Sequence, residues 1–242
     1  MKKSLITLFA TVCFLMSGIL DLHAQGESRI GLKGGTDLYS SIASVSFFGL
    51  SVEETSDSKF GFAAGIFVEK PFSDLLSAQF EALYIQKGGK DHFSGTDFDV
   101  DVEDGEGKLT LSYLDIPAML KLNIPIKSES VSPFVYAGGF AGYLLDATVG
   151  TDEGSFDGIE IKDLLNDINY GFIMGLGANF GAVSVDLRYD IGLGNIFDSE
   201  AELFEELEDE LGDNEEFGDL EDLLDSIELT TSGLLLTIGY AF

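Results

Sequence analysis

The sequence of 242 residues has few cysteines, histidines and basic side chains. It contains one cysteine, two histidines, and 13 lysines and arginines against 43 aspartates and glutamates. A single cysteine cannot form a disulfide within the chain. The formal net charge of −30 excludes nucleic acid as a partner, because binding to phosphates requires clustered lysine and arginine.

Long apolar runs are also missing, except at the N-terminus. There Lys2 and Lys3 precede the apolar segment Leu5–Leu20 and the small residue Ala24. This order is typical of a secretory signal cleaved after Ala24, and a membrane-anchoring helix is the alternative. The apolar run is short for such a helix, which needs about 20 residues. The only cysteine, Cys13, lies in this segment, so the mature chain, residues 25–242, is predicted to have none.

The last stretch, residues 232–242, alternates apolar side chains with small or polar ones. One face carries Leu234, Leu236, Ile238, Tyr240 and Phe242, and the other carries Gly233, Leu235, Thr237, Gly239 and Ala241. This alternation predicts a strand. About ten residues are enough for a tilted strand to cross a bilayer.

Residues 182–193 distinguish a membrane barrel from a soluble sandwich. Their apolar face consists of Val183, Val185, Leu187, Tyr189, Ile191 and Leu193, and the opposite face includes Ser184, Asp186, Arg188, Asp190 and Gly192. Charges opposite a fully apolar face are typical of a barrel with lipid outside and polar side chains inside. The sequence therefore predicts a transmembrane β-barrel.

Turn and loop signals divide residues 25–242 into eight strands of one all-β domain. The predicted strands are Arg29–Leu38, Phe60–Lys70, Leu75–Lys87, Leu109–Ile124, Ser132–Asp146, Ile168–Phe180, Ala182–Leu193 and Ser232–Phe242. The connections alternate between about twenty or more residues and about one to seven. We therefore predict an antiparallel outer membrane barrel with long extracellular loops, short periplasmic turns and both termini in the periplasm.

The predicted faces of the second, third and fourth strands follow the same parity rule. The outward residues are Phe60, Phe62, Ala64, Ile66, Val68, Ala78, Phe80, Ala82, Tyr84, Leu114, Ile116, Ala118, Leu120 and Leu122. The fifth strand is apolar on both faces, so its parity is undetermined. Because proline removes a ladder donor, Pro117 predicts a bulge in the fourth strand.

Several phrases resemble the PorT-type outer membrane β-barrel family of Bacteroidetes. They are GLKGG (31–35), EALYIQKG (81–88), YLDIPAMLK (113–121), PFVYAGG (133–139) and DLRYDIG (186–192). The resemblance covers nearly the whole mature chain. It implies an eight-stranded outer membrane barrel and a link to type IX protein secretion, the pathway of the family's namesake.

Nine charged residues are predicted to point into the barrel: Lys33, Glu69, Glu81, Lys87, Asp115, Lys121, Asp186, Arg188 and Asp190. With eight strands, the interior is just wide enough for side chains to fill it. We predict a network of paired ions centred on Arg188, whose planar fork can bridge two carboxylates, with Glu81, Asp115 and Asp186 as candidate partners. A proton or small-ion path through the same groups is the alternative.

Two loop motifs suggest chemistry only weakly. His92 lies beside Asp91 and near Ser94, but adjacency in sequence does not produce triad geometry. Alternating acids, with Asp97, Asp99 and Asp101 as candidate calcium ligands, resemble a calcium loop that has Val102 where glycine is required. We predict a solvated histidine and, at most, weak calcium binding.

Sixteen acidic residues and no basic one lie between Asp198 and Glu228. Leucines within this segment recur at helical spacing, and Ser199 with Glu202 forms a capping box. We predict two amphipathic helices, separated near residues 212–218, whose apolar stripe caps the barrel mouth or docks a partner. The apolar positions are Leu203, Leu207, Leu211, Leu220, Leu223, Leu224 and Ile227.

The predicted function is a structural or interaction role at the cell envelope, accessory to protein secretion, with no enzymatic activity and no cofactor. A narrow channel for small solutes or cations is the alternative. The predicted partners are outer membrane lipid, the barrel assembly machinery through the C-terminal strand ending in Phe242, and envelope or secretion proteins at the loops.

Overall fold

The computed structural model describes residues 28–47, 50–93, 105–126, 130–151, 159–197 and 227–242. The predicted signal, the calcium candidates Asp97, Asp99 and Asp101, and nearly all of the acidic segment after Asp198 lie outside these ranges. The strands are β1 (Arg29–Phe47), β2 (Leu50–Thr55), β3 (Asp57–Pro71), β4 (Leu76–Lys87), β5 (Gly89–Phe93), β6 (Gly105–Asn123), β7 (Ser132–Thr151), β8 (Ile159–Glu160), β9 (Ile168–Phe180), β10 (Val183–Gly192) and β11 (Ile227–Ala241).

A 3₁₀ turn, Lys162–Leu164, follows β8. Among the described residues, no helix has both the length and the apolar character needed to span a membrane.

The eight longest strands close into an antiparallel barrel, as predicted. Each pairs with the next long strand in the chain, and β1 pairs with both β3 and β11. Closure satisfies the backbone groups of every long strand on both sides, which is necessary in lipid. The short strands β2, β5 and β8 extend the sheet at the end where the long connections lie. The last residue of β11 lies at the opposite end. We call the end with the long connections the long-loop end and the opposite end the short-turn end.

Several strands extend further than the sequence pattern predicts at the long-loop end. β1 continues to Phe47 rather than Leu38, and β7 continues to Thr151 rather than Asp146. β11 begins at Ile227, which was predicted to be helical, and pairs there with Val45. Backbone pairing with neighbouring strands forms these extensions.

Side-chain burial confirms the predicted faces, except at Ala78, which was predicted to point outward and is 7% exposed. Outward residues such as Phe60 and Ile238 are 76% and 61% exposed, whereas the inward Arg188 is 1% exposed. The fifth predicted strand, now β7, turns Phe134, Tyr136, Phe140 and Leu144 inward. An extra residue, Leu145, then shifts the register with β6 between Ser112 and Tyr113, after which Ala147 points inward.

The bulge predicted at Pro117 is wrong. Pro117 pairs in register with Phe140 of β7. On the β4 side the pairing lapses after Phe80–Ala118 and resumes in the same register at Leu83–Asp115. The missing proline donor therefore interrupts one ladder without adding a residue, and the bulge of this strand pair lies at Leu145 of β7.

The outward apolar face predicts a depth-dependent cost of charge. Ile238→Arg near the middle of the band should destabilise the barrel by about 2–4 kcal/mol, and Phe242→Arg at its border by about 0–1 kcal/mol. Urea unfolding of both variants in phosphatidylcholine vesicles measures the difference. Equal losses would show that residues 234–242 do not cross the hydrocarbon at these depths.

Candidate functional site

Charged side chains fill the interior at three successive heights, because inward positions recur at every second residue of each strand. The lower group, near the short-turn end, contains Glu69 and Lys121. The central group contains Lys33, Glu81, Asp186, Arg188 and Asp190. The upper group contains Asp37, Lys87 and Asp115, and all of these residues are buried.

Arg188 of β10 holds two carboxylates of the central group. Its Nη1 donates to Glu81 Oε2 at 3.1 Å, and its Nη2 donates to Asp190 Oδ2 at 3.0 Å. Its Nε lies 2.7 Å from Asp190 Oδ1. The Tyr39 hydroxyl also donates to Asp190 Oδ2, at 2.5 Å. The planar guanidinium thus makes a bidentate pair on one side and a single bond on the other.

Lys33 of β1 extends the central group across the lumen. Its Nζ lies 2.6 Å from Glu81 Oε1 and 3.0 Å from Asp186 Oδ2. Gln79 donates to Glu81 Oε1 at 2.6 Å, and the Tyr136 hydroxyl donates to Asp186 Oδ1 at 2.8 Å. Glu81 therefore binds both Lys33 and Arg188. The central group has three carboxylates and two cations, and the hydrogen bonds from Gln79 and Tyr136 offset the additional negative charge.

The structure brings Arg188 to Glu81, as expected, but the other two candidate partners bind elsewhere. Asp186 pairs with Lys33, and Asp115 pairs with Lys87 at 2.8 Å between Nζ and Oδ2. Instead, Arg188 takes Asp190 from its own strand. Residues two apart on a strand share a face, and this spacing was the signal that could have identified Asp190.

Two tyrosines of the central group were missed for specific reasons. Tyr39 falls one residue beyond the predicted end of the first strand at Leu38. Tyr136 lies on the strand whose parity the sequence left undetermined. Both hydroxyls donate to buried carboxylates, so the network depends on neutral donors that a search for opposite charges does not find.

The lower group is simpler. Lys121 Nζ lies 3.0 Å from Glu69 Oε2 and 3.9 Å from the centroid of the Phe134 ring. Ser77 donates to Glu69 Oε1 at 2.8 Å, and Arg29, which is partly exposed, approaches Glu69 Oε2 at 3.6 Å. Predicted as part of the central network, Lys121 instead belongs to this separate pair.

An apolar cluster closes the interior toward the long-loop end. Two of its buried residues, Leu165 and Ile196, come from connections rather than from barrel strands. Asn166 Nδ2 donates to the carbonyls of Asn195 and Phe197 at 3.2 and 2.8 Å, and Asn195 Oδ1 accepts from the Leu229 amide at 2.8 Å. The connections after β8 and β10 are thereby tied together over the barrel. The cluster's strand residues are Tyr39, Ala63, Ile85, Leu111, Tyr113, Leu144, Ala147 and Leu235.

Two glycines make room for carboxylates of the upper group. A Cβ on Gly142 would collide with Asp115 Oδ1, and a Cβ on Gly61 would collide with Asp37 Oδ1 and lie 2.5 Å from the carbonyl oxygen of Gln86. Asp115 thus lies over β7, and Asp37 lies over β3 against the backbone of β4. Any larger residue at either glycine would displace a buried charge.

The loop motifs are only partly described. The backbone at His92 belongs to β5 and pairs with Glu106 of β6, so the predicted loop is a strand here. Ser94, the other member of the predicted set, lies outside the described residues, as do Asp97, Asp99 and Asp101. In the described part of the chain, no three histidine, cysteine, aspartate or glutamate side chains gather as metal ligands.

A family profile described as outer membrane protein beta-barrel domain matches residues 23–198. The chain belongs to this family. Membership agrees with a closed eight-stranded barrel that has an apolar outer face, and it assigns the barrel to the outer membrane. No curated protein matches the chain.

Several solved outer membrane barrels are similar at low identity. OprG from Pseudomonas aeruginosa is 13% identical, with a TM-score of 0.47 over 92% of this chain and 99% of that one. Neisserial surface protein A is 14% identical, with a TM-score of 0.44 over 90% and 100% of the two chains. Ail of Yersinia pestis is 12% identical, with a TM-score of 0.39 over 90% and 100%.

The interior of this family member crosslinks distant strands. Lys33, Glu81 and Arg188 lie on β1, β4 and β10, so their bonds span the lumen rather than join neighbours. Removing one partner of a buried pair leaves an uncompensated charge, which is far more costly than the loss of an exposed pair.

Arg188→Met should therefore destabilise the barrel by about 3–5 kcal/mol, because Glu81 and Asp190 lose their cation. The triple variant Arg188→Met, Glu81→Gln, Asp190→Asn should lose less, since the charges are removed together. Arg29→Met at the partly exposed rim should cost about 0–1 kcal/mol. Urea unfolding in detergent micelles tests the order, and a triple variant less stable than Arg188→Met would contradict it.

Proposed function

We propose that this outer membrane barrel has a structural or interaction role at the cell envelope, as an accessory to type IX protein secretion, without enzymatic activity. The observation that supports this best is the filled interior. Ion pairs occupy the lumen at three heights, and Leu165 and Ile196 close it toward the long-loop end. Function then resides in the loops and the outer surface.

The PorT-type resemblance supports the secretion part of the proposal. The phrases at 81–88, 113–121 and 186–192 contain Glu81, Lys87, Asp115, Lys121, Asp186, Arg188 and Asp190. These are seven of the ten buried charges of the three groups. The residues that carry the resemblance therefore form the interior network, which suggests that this barrel shares its internal architecture with the PorT-type family.

The proposed orientation follows from the connections. The short turns, the start of β1 and the end of β11 all lie at the short-turn end. We assign this end to the periplasm, as is usual for outer membrane barrels. The acidic connections then face outward, where they meet envelope or secretion proteins. The terminal strand β11, which Phe242 follows, is the segment we assign to recognition by the barrel assembly machinery.

Deleting this gene should cause type IX cargo proteins to accumulate in the periplasm, if the barrel serves that pathway. Quantitative proteomics of culture medium and periplasm, in the parent and deletion strains, measures the effect. The wild-type gene should restore export. A variant lacking residues 199–226, shown to fold by its heat-modified gel mobility, should not restore it. Matching profiles in the parent and deletion strains would exclude the secretion role.

A narrow channel for small solutes or cations is a second candidate. It is favoured by buried polar atoms of the upper lumen that have no hydrogen-bond partner among the described residues, including both oxygens of Asp37, Ser41 Oγ and Lys59 Nζ. Buried polar groups usually bind ordered water when protein partners are missing. A chain of such waters would form part of a route for cations through the lumen.

Conductance separates the two candidates. In planar bilayers the wild-type barrel should show no ohmic current if it is a filled scaffold, and Arg188→Ala should show none either, because the apolar cluster with Leu165 and Ile196 still closes the lumen. Arg29→Ala, at the rim, is the control and should stay silent. Steady cation-selective current through the wild-type protein would instead favour the channel.

A further inference from the structure

The ammonium of Lys87 is enclosed by aromatic rings in the upper lumen. Its Nζ lies 4.2 Å from the ring centroid of Phe140, 5.1 Å from that of Tyr113 and 5.6 Å from that of Tyr39. Asp115 Oδ2 lies 2.8 Å away, and the Lys87 side chain is fully buried. A cation within about 6 Å of several ring faces is attracted by each of them, most strongly when it is desolvated.

A second carboxylate lies beside this cage. Asp37 is 2% exposed, and neither of its oxygens has a hydrogen-bond donor in the described part of the chain. It is two residues from Tyr39 on the same face of β1. It also leans over Gly61 toward the backbone of Gln86, the residue before Lys87. In the strand order, Asp37 on β1 and Asp115 on β6 lie on opposite sides of β4, which carries Lys87.

The two carboxylates and three rings provide what a small ammonium ion needs. An ammonium group has three donors, and Asp115 and Asp37 offer four acceptor oxygens, of which only Asp115 Oδ2 makes a close ion pair with Lys87. The ring faces replace part of the hydration of the cation. A sodium ion gains less, because it would exchange tightly bound water for ring faces and has no hydrogen bonds to donate.

We propose that the upper lumen contains a binding site for small primary ammonium ions, built from Asp37, Asp115, Tyr39, Tyr113 and Phe140, and that the Lys87 ammonium is its tethered occupant. The site does not depend on the envelope role proposed above. It assigns Lys87 a function distinct from that of Arg188, since the guanidinium crosslinks strands whereas the lysine fills a cation site.

Chemical rescue tests the site in the full barrel. Lys87→Ala removes the atoms that n-propylammonium contains, so this ion should fill the space and restore at least about half of the lost thermal stability in a saturable manner. Gel mobility after heating in detergent measures the folded fraction. 1-Propanol, which has the same shape without charge, and sodium at equal ionic strength should restore almost nothing.

Double variants test whether the binding of propylammonium depends on these residues. Lys87→Ala with Asp115→Asn, and Lys87→Ala with Asp37→Asn, should each lose most of the rescue. Lys121→Ala is the matched control, because Lys121 has one carboxylate and one ring, and it should gain no more from propylammonium than from sodium. Equal rescue of Lys121→Ala, or rescue that survives both aspartate changes, would overturn the site.

The test also holds if Lys87→Ala does not fold alone. In that case, refolding in the presence of n-propylammonium becomes the measurement. Recovery of the folded band with propylammonium but not with 1-propanol supports the site. Failure of propylammonium to recover any folded protein overturns it.

Discussion

Buried charge has to be neutralised inside the barrel, and this requirement ties the strands together across the lumen. Arg188 cannot leave Glu81 and Asp190 without exposing two carboxylates to a medium that solvates them poorly. Glu81 in turn holds Lys33 of β1. Neighbouring strands are joined by backbone hydrogen bonds, whereas β1, β4 and β10 are joined by these ions. The interior is therefore a structural element in its own right.

This interior affects where function can be located. A lumen occupied by paired ions and tied-down connections has little freedom to change for catalysis or transport, whereas the long connections can vary without disturbing it. The upper group differs from the rest, because Asp37 has no hydrogen-bond donor among the residues that the structure describes and Lys87 is surrounded mostly by rings. Polar groups with unused bonding capacity occur there, and this is the part of the interior most able to bind something else.

Much of the barrel could be predicted because lipid and lumen impose opposite chemistry on alternate residues. That contrast identified all eight strands and nine inward charges, including Arg188 and Lys121, but it missed the buried Asp37 and Lys59. It could not orient β7, which is apolar on both faces, nor show that Leu145 is an extra residue. It also could not assign ion partners, because Asp186 and Asp115 meet Lys33 and Lys87 through the tilt and stagger of the strands. Tyr39 was missed because β1 continues past Leu38, the predicted end of the first strand.

The pairing of β1 with β11 joins the first and last strands of the barrel. Lys33 lies on the first of these strands, and Asp186 and Arg188 lie on β10, immediately before the last. Until the final strand is in place, these charges line an open, hydrated trough that cannot enter hydrocarbon at low cost. Pairing of β1 with β11 therefore removes the last free strand edge and also encloses these charges inside the barrel. A sheet that has not yet closed is therefore costly to place in hydrocarbon, because these charges would face lipid.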